Sequence, residues 1–574
     1  MKSRIDFPGP DGGRLRLAFP RAAEVLEARR IEDVRSVVAA AERLARQGRW
    51  VVGFVAYEAA PAFDPAFATR PPHASFPLAA FAAYDAPGDA GAPPTGSCAC
   101  GVWAMETPRP DVESDIEAIR RGIAAGDYYQ VNLTARLRAD FQGSGLALFE
   151  SLRAAQPDGY GAWLDGGAWQ VASVSPELFF DWRPDGLLTT RPMKGTAPRH
   201  AEPQADAGAA QSLRESEKER AENLMIVDLL RNDLARVAAI GSVAVPALFA
   251  VEALPTAWQM TSTVQCRTRP GIGLADVFGA LFPCGSVTGA PKVAAMKTIA
   301  ALERSPRGVY CGAIGVLRPG GHATFSVAIR TVALAARSGR AECGIGSGIV
   351  LDSRAEAEYA EWLVKRRFLL RATAGFDLLE TLRLDGGAFW LRERHLQRLR
   401  ASAAHFGFAW DAGRIEAALD AEAARHGEGT WRVRLRVDRD GAPRTEAFAL
   451  EALAEPLRYA LAAMPVDSGD EFLAHKTTRR SVYETHAPPP GAFDTLLWNE
   501  RGEVTEFTRG NVVVELDGRR VTPPLSCGLL AGVLRAELLA RGEIAEGVVR
   551  VEDLPRAAGI WFINSVRGML RMTE

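Results

Sequence analysis

The pattern of this chain starts over near residue 372, and that restart limits what it can fold into. A helical run, RAEAEYAEWLVKRRFLLRA (354–372), gives way to the connector TAGF (373–376). Beyond it the strand-like DLLETLRL, a DGG turn, AFWL and the helical RERHLQRLRASAAHFG begin a second unit. At 574 residues the chain is also too long for one hydrophobic core. We expect two unlike domains, 1–372 and 376–574, joined by a linker of a few residues, since no repeat of solenoid period is present. Strand-like and helical stretches mix in both halves, which makes each α/β or α+β.

In the first half, IEDVRSVVAAAERLARQG predicts a helix over about 30–48, and RWVVGFVAYEAA predicts a buried strand. The Pro-, Gly- and Ala-rich stretch 86–110 predicts a surface loop, followed by a helix over about 111–125 that Gly126 stops. Strands are expected at 128–139, 168–174, 177–182 and 187–193, one long helix at about 211–236 and another at 354–372.

Composition narrows the functional class. The net charge is −2, with 47% hydrophobic and 24% charged residues, and no basic block is present to track a phosphate backbone, so nucleic acid is not an expected partner. The N-terminal MKSRIDFPGPDGG lacks the apolar core of a signal peptide and no apolar run is long enough to span a bilayer, so no membrane association and a cytoplasmic location are expected. Seven cysteines with no CxxC pair argue against a disulfide framework or a thiolate zinc site.

Three local patterns carry chemistry. In RPMKGTAPRH (191–200) a lysine stands between a strand-like run and a Gly-Thr turn, a place where a solvated cation has no structural task. Glu215, Glu219 and Glu222 recur at four and three residues on the expected helix 211–236, and Glu358 and Glu361 lie three apart on the next one. For a bare helix a solvated acidic face is the simplest reading. Two such groups brought together repel unless a cation lies between them, and Mg²⁺, which takes oxygen ligands and water, suits that arrangement. CGIGSGIV spaces its glycines GxGxG and runs into an apolar strand, which excludes a dinucleotide fingerprint, although open backbone amides there could hold a small carboxylate.

Taken together, IAAGDYYQVNLT (123–134), SPELFF (175–180), RPMKGTAPR (191–199), KERAENLMIVDLLRNDL (218–234), GSVTGAPK (285–292), YCGAIG (310–315), FSVAIRT (325–331) and GIGSGIVLDSRAEAEYAE (344–361) resemble, in order, the chorismate-utilising enzymes. That family includes anthranilate, isochorismate and salicylate synthases and component I of aminodeoxychorismate synthase. The resemblance implies two large, packed, mainly antiparallel sheets with helices outside. It also implies that Lys194, which stands where anthranilate synthases have Ala, is a covalent nucleophile toward C2 of chorismate while the C4 hydroxyl leaves and ammonia enters. Such a lysine must be neutral near pH 7, which asks for desolvation or cationic neighbours, with Arg191 and Arg199 as candidates. By the same resemblance Glu177 is the general acid, Glu222 and Glu361 are Mg²⁺ ligands with Glu358 beside them, and Arg330, Lys365, Thr196 and Gly346, Ser347 and Gly348 bind substrate. Gln259 replaces a histidine common in relatives and is not expected to be catalytic. With no glutamine amidotransferase segment in these residues, a separate amidotransferase subunit is the expected ammonia source.

In the second half, HLQRL (395–399), AHKTTRRSVYE (474–484), NERGEVTEFTRGNVVV (499–514), TPPLSCGLLAGVLR (522–535) and INSVRG (563–568) resemble the fold type IV pyridoxal-phosphate enzymes. The resemblance implies a two-subdomain unit that binds pyridoxal 5′-phosphate and forms a homodimer through this domain. Lys476 would bond the cofactor aldehyde, Glu506 would face the pyridine nitrogen, and Arg398 with the backbone of Val533 and Leu534 would bind the phosphate. Joined to a chorismate aminase, the unit is expected to eliminate pyruvate and release 4-aminobenzoate. Anthranilate or salicylate synthesis in the first half, an aminotransferase in the second, or one half serving only as a scaffold are the competing readings.

Overall fold

The computed structural model describes residues 1–573 apart from 10–11, 89–95, 199–202, 254–256, 337, 374 and 454. They divide into two compact units, Met1–Thr373 and Ala374–Glu574. Among the described residues no helix is long and apolar enough to cross a membrane.

The first unit is built on two antiparallel sheets. One runs in the order Gly289–Ala290, Gln130–Gly143, Arg340–Ile349, Thr331–Ala335, Trp169–Ser175, Tyr160–Asp165, Lys2–Pro8 and Arg14–Phe19. The other runs Met193–Pro198, Ala257–Arg267, Leu187–Arg191, Leu178–Trp182, Ala323–Val327, Ala313–Leu317, Trp50–Val55, Ala79–Tyr84 and Glu24–Ala28. Alternation along the strands decides which residues go where. Val52, Phe54, Ile314 and Val316 meet Ile5, Phe7, Leu164 and Val171 in one cluster shared by both sheets. Their neighbours Val51, Val55, Ala313 and Leu317 point the other way, into a core with helices Ile31–Arg46, Glu217–Ala235 and Leu274–Leu281. A third cluster packs the outer face of the first sheet against helices Arg109–Ala124, Gly145–Ala155, Lys292–Leu302, Ala355–Lys365 and Arg367–Thr373. Strands covered on both faces read as continuous apolar runs, and WVVGFV is one of them.

Local chemistry changes two expected helices. The run over 211–236 is divided into Pro203–Glu215 and Glu217–Ala235, because Ser216 leaves helical geometry and accepts a hydrogen bond from the Glu219 amide at 3.3 Å. Glu215 therefore sits on a different helix from Glu219 and Glu222. The run over 354–372 likewise becomes Ala355–Lys365 and Arg367–Thr373. The expected loop over 86–110 contains short strands Cys98–Cys100 and Ala104–Met105, which pair with Gln130–Gly143; residues 89–95 lie outside the described residues.

The second unit has two layers of its own. A four-stranded antiparallel sheet, Ala388–Phe389, Leu378–Asp385, Thr430–Val437 and Pro443–Ala449, is covered by helices Arg392–Phe406 and Ala412–Arg425 around one core. A larger mixed sheet centres on Asp494–Trp498, Val504–Phe507 and Gly510–Leu516, with helix Val533–Ala540 against it.

Candidate active sites

The candidate residues of the first unit gather where the chain changes sheets. Trp169–Ser175 lies in one sheet and Leu178–Trp182 in the other, and Glu177 is on the crossing between them. Ala323–Val327 and Thr331–Ala335 cross back, with Arg330 between them. The crossings run side by side: the Val327 amide donates to the Glu177 carbonyl and the Val174 amide to the Arg330 carbonyl, each at 3.1 Å.

Glu177 is 5% exposed, and Ser286 Oγ donates to its Oε1 at 2.7 Å. Burial pushes its carboxyl up to about 7, against the opposing pull of Ser286 and the Lys194 charge. Arg330 holds a positive φ of 50°, a strained backbone for a residue with a side chain. Its guanidinium donates to Gln156 and lies over the Phe368 ring at 5.9 Å. Burial lowers it to about 10, and among the described residues no carboxylate pairs with it. A desolvated cation without a counter-charge is a receptor for an anionic group.

Lys194 lies on the edge strand Met193–Pro198. The pairing Met193 with Thr261 and Thr196 with Gln259 leaves one extra residue on that strand, a bulge that Gly195 accommodates at φ 87°. Gln259 clamps the bulge: its Nε2 donates to the Gly195 carbonyl at 2.7 Å and its Oε1 accepts from Thr196 Oγ1 at 2.9 Å. Thr196 is itself exposed. The bulge carries Lys194 inward, where its Nζ is 3.3 Å from the point a Cβ on Gly348 would occupy. Gln130 Nε2 lies 2.5 Å from the same point. The Gln130 side chain is fully buried and neither amide atom has a hydrogen-bond partner among the described residues.

Carboxylates lie within reach of the Lys194 charge. Its charge acts on both Glu177 and Glu222. Arg191 donates to Glu252, and Arg199 lies outside the described residues. Burial pushes the Glu222 carboxyl up, Lys194 and Lys218 pull it down, and Glu219 and Glu358 push it further up. Glu358 is 8% exposed and accepts from Ser347 Oγ at 2.5 Å and Ser353 Oγ at 2.6 Å. Glu361 is half-exposed and paired with Lys365 at 2.6 Å, while Lys365 also donates to the Gly346 carbonyl at 3.0 Å. Among the described residues no three His, Cys, Asp or Glu side chains are close enough together to form a metal cage. Mg²⁺ needs only one or two protein carboxylates, with water and substrate completing its shell. Glu222 and Glu358, which repel one another across a desolvated space, fit that requirement.

The three glycines of GIGSG serve different close approaches. A Cβ at Gly344 would meet the Tyr310 ring at 2.1 Å, and one at Gly346 would meet the Leu133 carbonyl at 2.2 Å. Gly348 makes room for Gln130 and Lys194. Strand Thr331–Ala335 pairs with the glycine strand at residues 340–343, and beyond Cys343 that edge has no strand neighbour among the described residues. Ser347 turns its hydroxyl away, toward Glu358 and Trp362.

In the second unit Lys476 follows the short helix Glu471–Ala474 and its carbonyl accepts from the Leu379 amide at 3.0 Å. Burial, then the charges of Arg398 and Arg480, lower its ammonium to about 8. Glu506 is 2% exposed and burial pushes its carboxyl up to about 7. Its Oε1 accepts from Tyr483 Oη at 2.8 Å and its Oε2 from Asn511 Nδ2 at 3.2 Å.

Arg398 makes a two-point contact with Glu380, at 2.8 and 2.6 Å, and donates from Nη1 to the Ala531 carbonyl at 3.1 Å. Three of its five N–H groups are thus used and two remain. His395 Nδ1 lies 2.7 Å from the same Glu380 carboxylate. Helix Val533–Ala540 begins beside Arg398, and the amides of Val533 and Leu534 in its first turn have no intrahelical acceptor. Gly532 is required there, since a Cβ would stand 1.7 Å from Asn511 Oδ1. Two free guanidinium donors, a helix N-terminus, a lysine of lowered basicity and a buried carboxyl fit a phosphorylated pyridine aldehyde.

Each unit thus holds a candidate site built around one lysine with buried carboxyl groups near it. Residues 94–371 match the chorismate binding enzyme family and residues 377–574 the class IV amino-transferase family. The chain is 44% identical over 260 residues to an aminodeoxychorismate synthase component 1 of Salmonella typhimurium, a match covering 45% of this chain and 57% of that protein. It is 39% identical over 272 residues to an anthranilate synthase component 1 of Streptomyces coelicolor, covering 47% of this chain and 52% of that one. Among solved structures, anthranilate synthase component I of Streptococcus pneumoniae aligns with a TM-score of 0.51 at 26% identity, over 64% of this chain and 89% of that one. The chain spans a little over half the length of these two curated relatives. The class IV match implies pyridoxal phosphate as the cofactor of the second unit.

Proposed function

We propose that the chain converts chorismate to 4-aminobenzoate in two steps, amination in the first domain and pyruvate elimination in the second. The observation that carries the first step is the Lys194 amine beside Gly348, with Glu177 and Glu222 within electrostatic reach. In this reading the amine forms a bond to C2 of the ring while the C4–O bond breaks, and Glu177 supplies the proton that turns the departing hydroxyl into water. Ammonia then bonds to C4 and the Lys194 bond breaks. Arg330 binds a substrate carboxylate, with Lys365 and the open edge beyond Cys343 beside it. Glu222 and Glu358 would hold Mg²⁺, which when bound would neutralise substrate carboxylate charge. Glu361 joins them once it gives up Lys365.

The product of the first step is the substrate of a class IV lyase, and this continuity favours elimination over amino transfer in the second domain. Pyridoxal phosphate supplies an electron sink there. Lys476 would hold the cofactor and move the proton, Glu506 would meet the ring nitrogen, and Arg398 with the amides of Val533 and Leu534 would bind the phosphate. A separate glutamine amidotransferase supplies ammonia, in keeping with the component 1 name of the relatives.

Product analysis from chorismate, Mg²⁺ and ammonium tests the whole reading. The expected products are 4-aminobenzoate and pyruvate with pyridoxal phosphate present, and 4-amino-4-deoxychorismate from Lys476→Ala. Anthranilate or salicylate would overturn the first assignment. An intermediate left unconverted by cofactor-loaded wild type would overturn the second.

A further inference from the structure

The carboxyl of Glu177 does not stand alone. Its Oε1 accepts from Ser286 Oγ at 2.7 Å, and Ser286 Oγ lies 3.2 Å from Cys284 Sγ. All three side chains are buried, at 5%, 6% and 5% exposure. Oε2 has no hydrogen-bond partner among the described residues. Ser286 and Cys284 come from the segment around the short helical turn Gly285–Val287, on no strand of either sheet. They reach Glu177 across more than a hundred residues of sequence.

We propose that Ser286 is a positioning residue that assigns the transferable proton of Glu177 to Oε2. The inference rests on the reading of Glu177 as the proton donor. Burial pushes the Cys284 thiol up to about 12, so it keeps its hydrogen and is able to donate it to Ser286. Ser286 has a single hydrogen, and with its oxygen accepting from the thiol, that hydrogen goes to Glu177 Oε1. A carboxyl whose Oε1 is already an acceptor carries its proton on Oε2, the oxygen left open to a ligand.

When the C4–O bond breaks, the electron pair leaves with oxygen, which takes the Oε2 proton and departs as water. The negative charge left on Glu177 is met by the Ser286 hydroxyl. The proton shed by the incoming ammonia restores the acid. The charged group acting on this carboxyl is Lys194, from the bulged edge strand. No hydrogen bond runs from it to Oε1 among the described residues, so orientation falls to Ser286.

The test is the pH dependence of kcat for amination at saturating ammonium, each variant taken as a ratio to wild type so that the ionisation of ammonia cancels. Ser286→Ala is expected to lower kcat about tenfold or more, with KM for chorismate changed less than about threefold. Its alkaline limb should move to higher pH, because a donor to the ionised carboxylate has been removed. Ser286→Thr, which keeps the hydroxyl, should restore both. Cys284→Ala leaves the hydroxyl free to rotate and should give a smaller shift in the same direction, a measurement that stands even if Ser286→Ala folds poorly. A limb that stays in place in both Ser286→Ala and Cys284→Ala, or a raised KM at unchanged kcat, would overturn the proposal. A wild-type enzyme that aminates chorismate while Glu177→Gln does so equally well would instead remove the acid assignment beneath it.

Discussion

The amine of Lys194 and the α-carbon of Gly348 face each other so closely that a single methyl group would come between them, 3.3 Å from Nζ and 2.5 Å from Gln130 Nε2. Gly348→Ala should therefore lose most amination while the second domain keeps its activity on supplied intermediate. Overpacking of this kind costs about 1–3 kcal/mol, too little to unfold a unit of this size. Full amination by a folded Gly348→Ala protein would place Lys194 elsewhere.

Gln259 holds both the Gly195 carbonyl and the Thr196 hydroxyl. Gln259→Ala should release the bulge and let Lys194 drift, lowering kcat about 10- to 100-fold, since displacement of a reacting group by about 1 Å is worth that much. Gln259→Glu keeps the acceptor but loses the amide donor and should fall between. Steady-state kinetics with ammonium would reveal an unaffected kcat if the clamp were idle.

Lys476 titrates at about 8 in the folded protein, below the usual 10.5. The rate at which the apoprotein captures pyridoxal phosphate should rise through pH 8 and level off above it, followed by the growth of visible absorbance. An ordinary lysine would keep gaining up to about pH 10. Lys476→Ala should show no such absorbance while chorismate amination continues.

Glu380 is held down to about 2 by Arg398 and His395, overcoming a burial effect of opposite sign. Its folded value lies below the usual 4.5, so its contribution to stability is full above pH 4.5 and is lost as pH falls through 2. Glu380→Gln should weaken cofactor affinity through Arg398 and destabilise the second domain by about 3–5 kcal/mol near neutrality, as breaking a buried pair does. It should also flatten the domain's stability between pH 5 and 3. Denaturant titrations across that range would expose a slope unchanged by the substitution.

The sequence was informative about Lys194 because a lysine before a glycine in a strand-like run is chemically out of place. Its surroundings were not legible. The one-residue bulge that Gln259 clamps lies beside it, and the Lys194 charge acts on Glu222 of helix Glu217–Ala235, a residue well separated in sequence. The spacing of the acidic stripe carries no mark of the helix break between Glu215 and Glu219, which comes from Ser216 in SEKE capping the second helix. The glycines of GIGSG make room for Tyr310, Leu133 and Gln130, partners their spacing does not name. Ser286 and Gln130 sit inside motifs that were recognised, yet their tasks come from contacts with residues far along the chain.

Because Glu177 and Arg330 ride on the two segments that stitch the sandwich halves together, chemistry and architecture share the same thread. A substitution deep among the apolar side chains separating the halves would shift donor and receptor together before any melting became visible. Loss of turnover would then be the earliest sign of a loosening interior, and variants selected for a stiffer interlayer should hold their catalytic geometry at temperatures where the parent has already gone quiet.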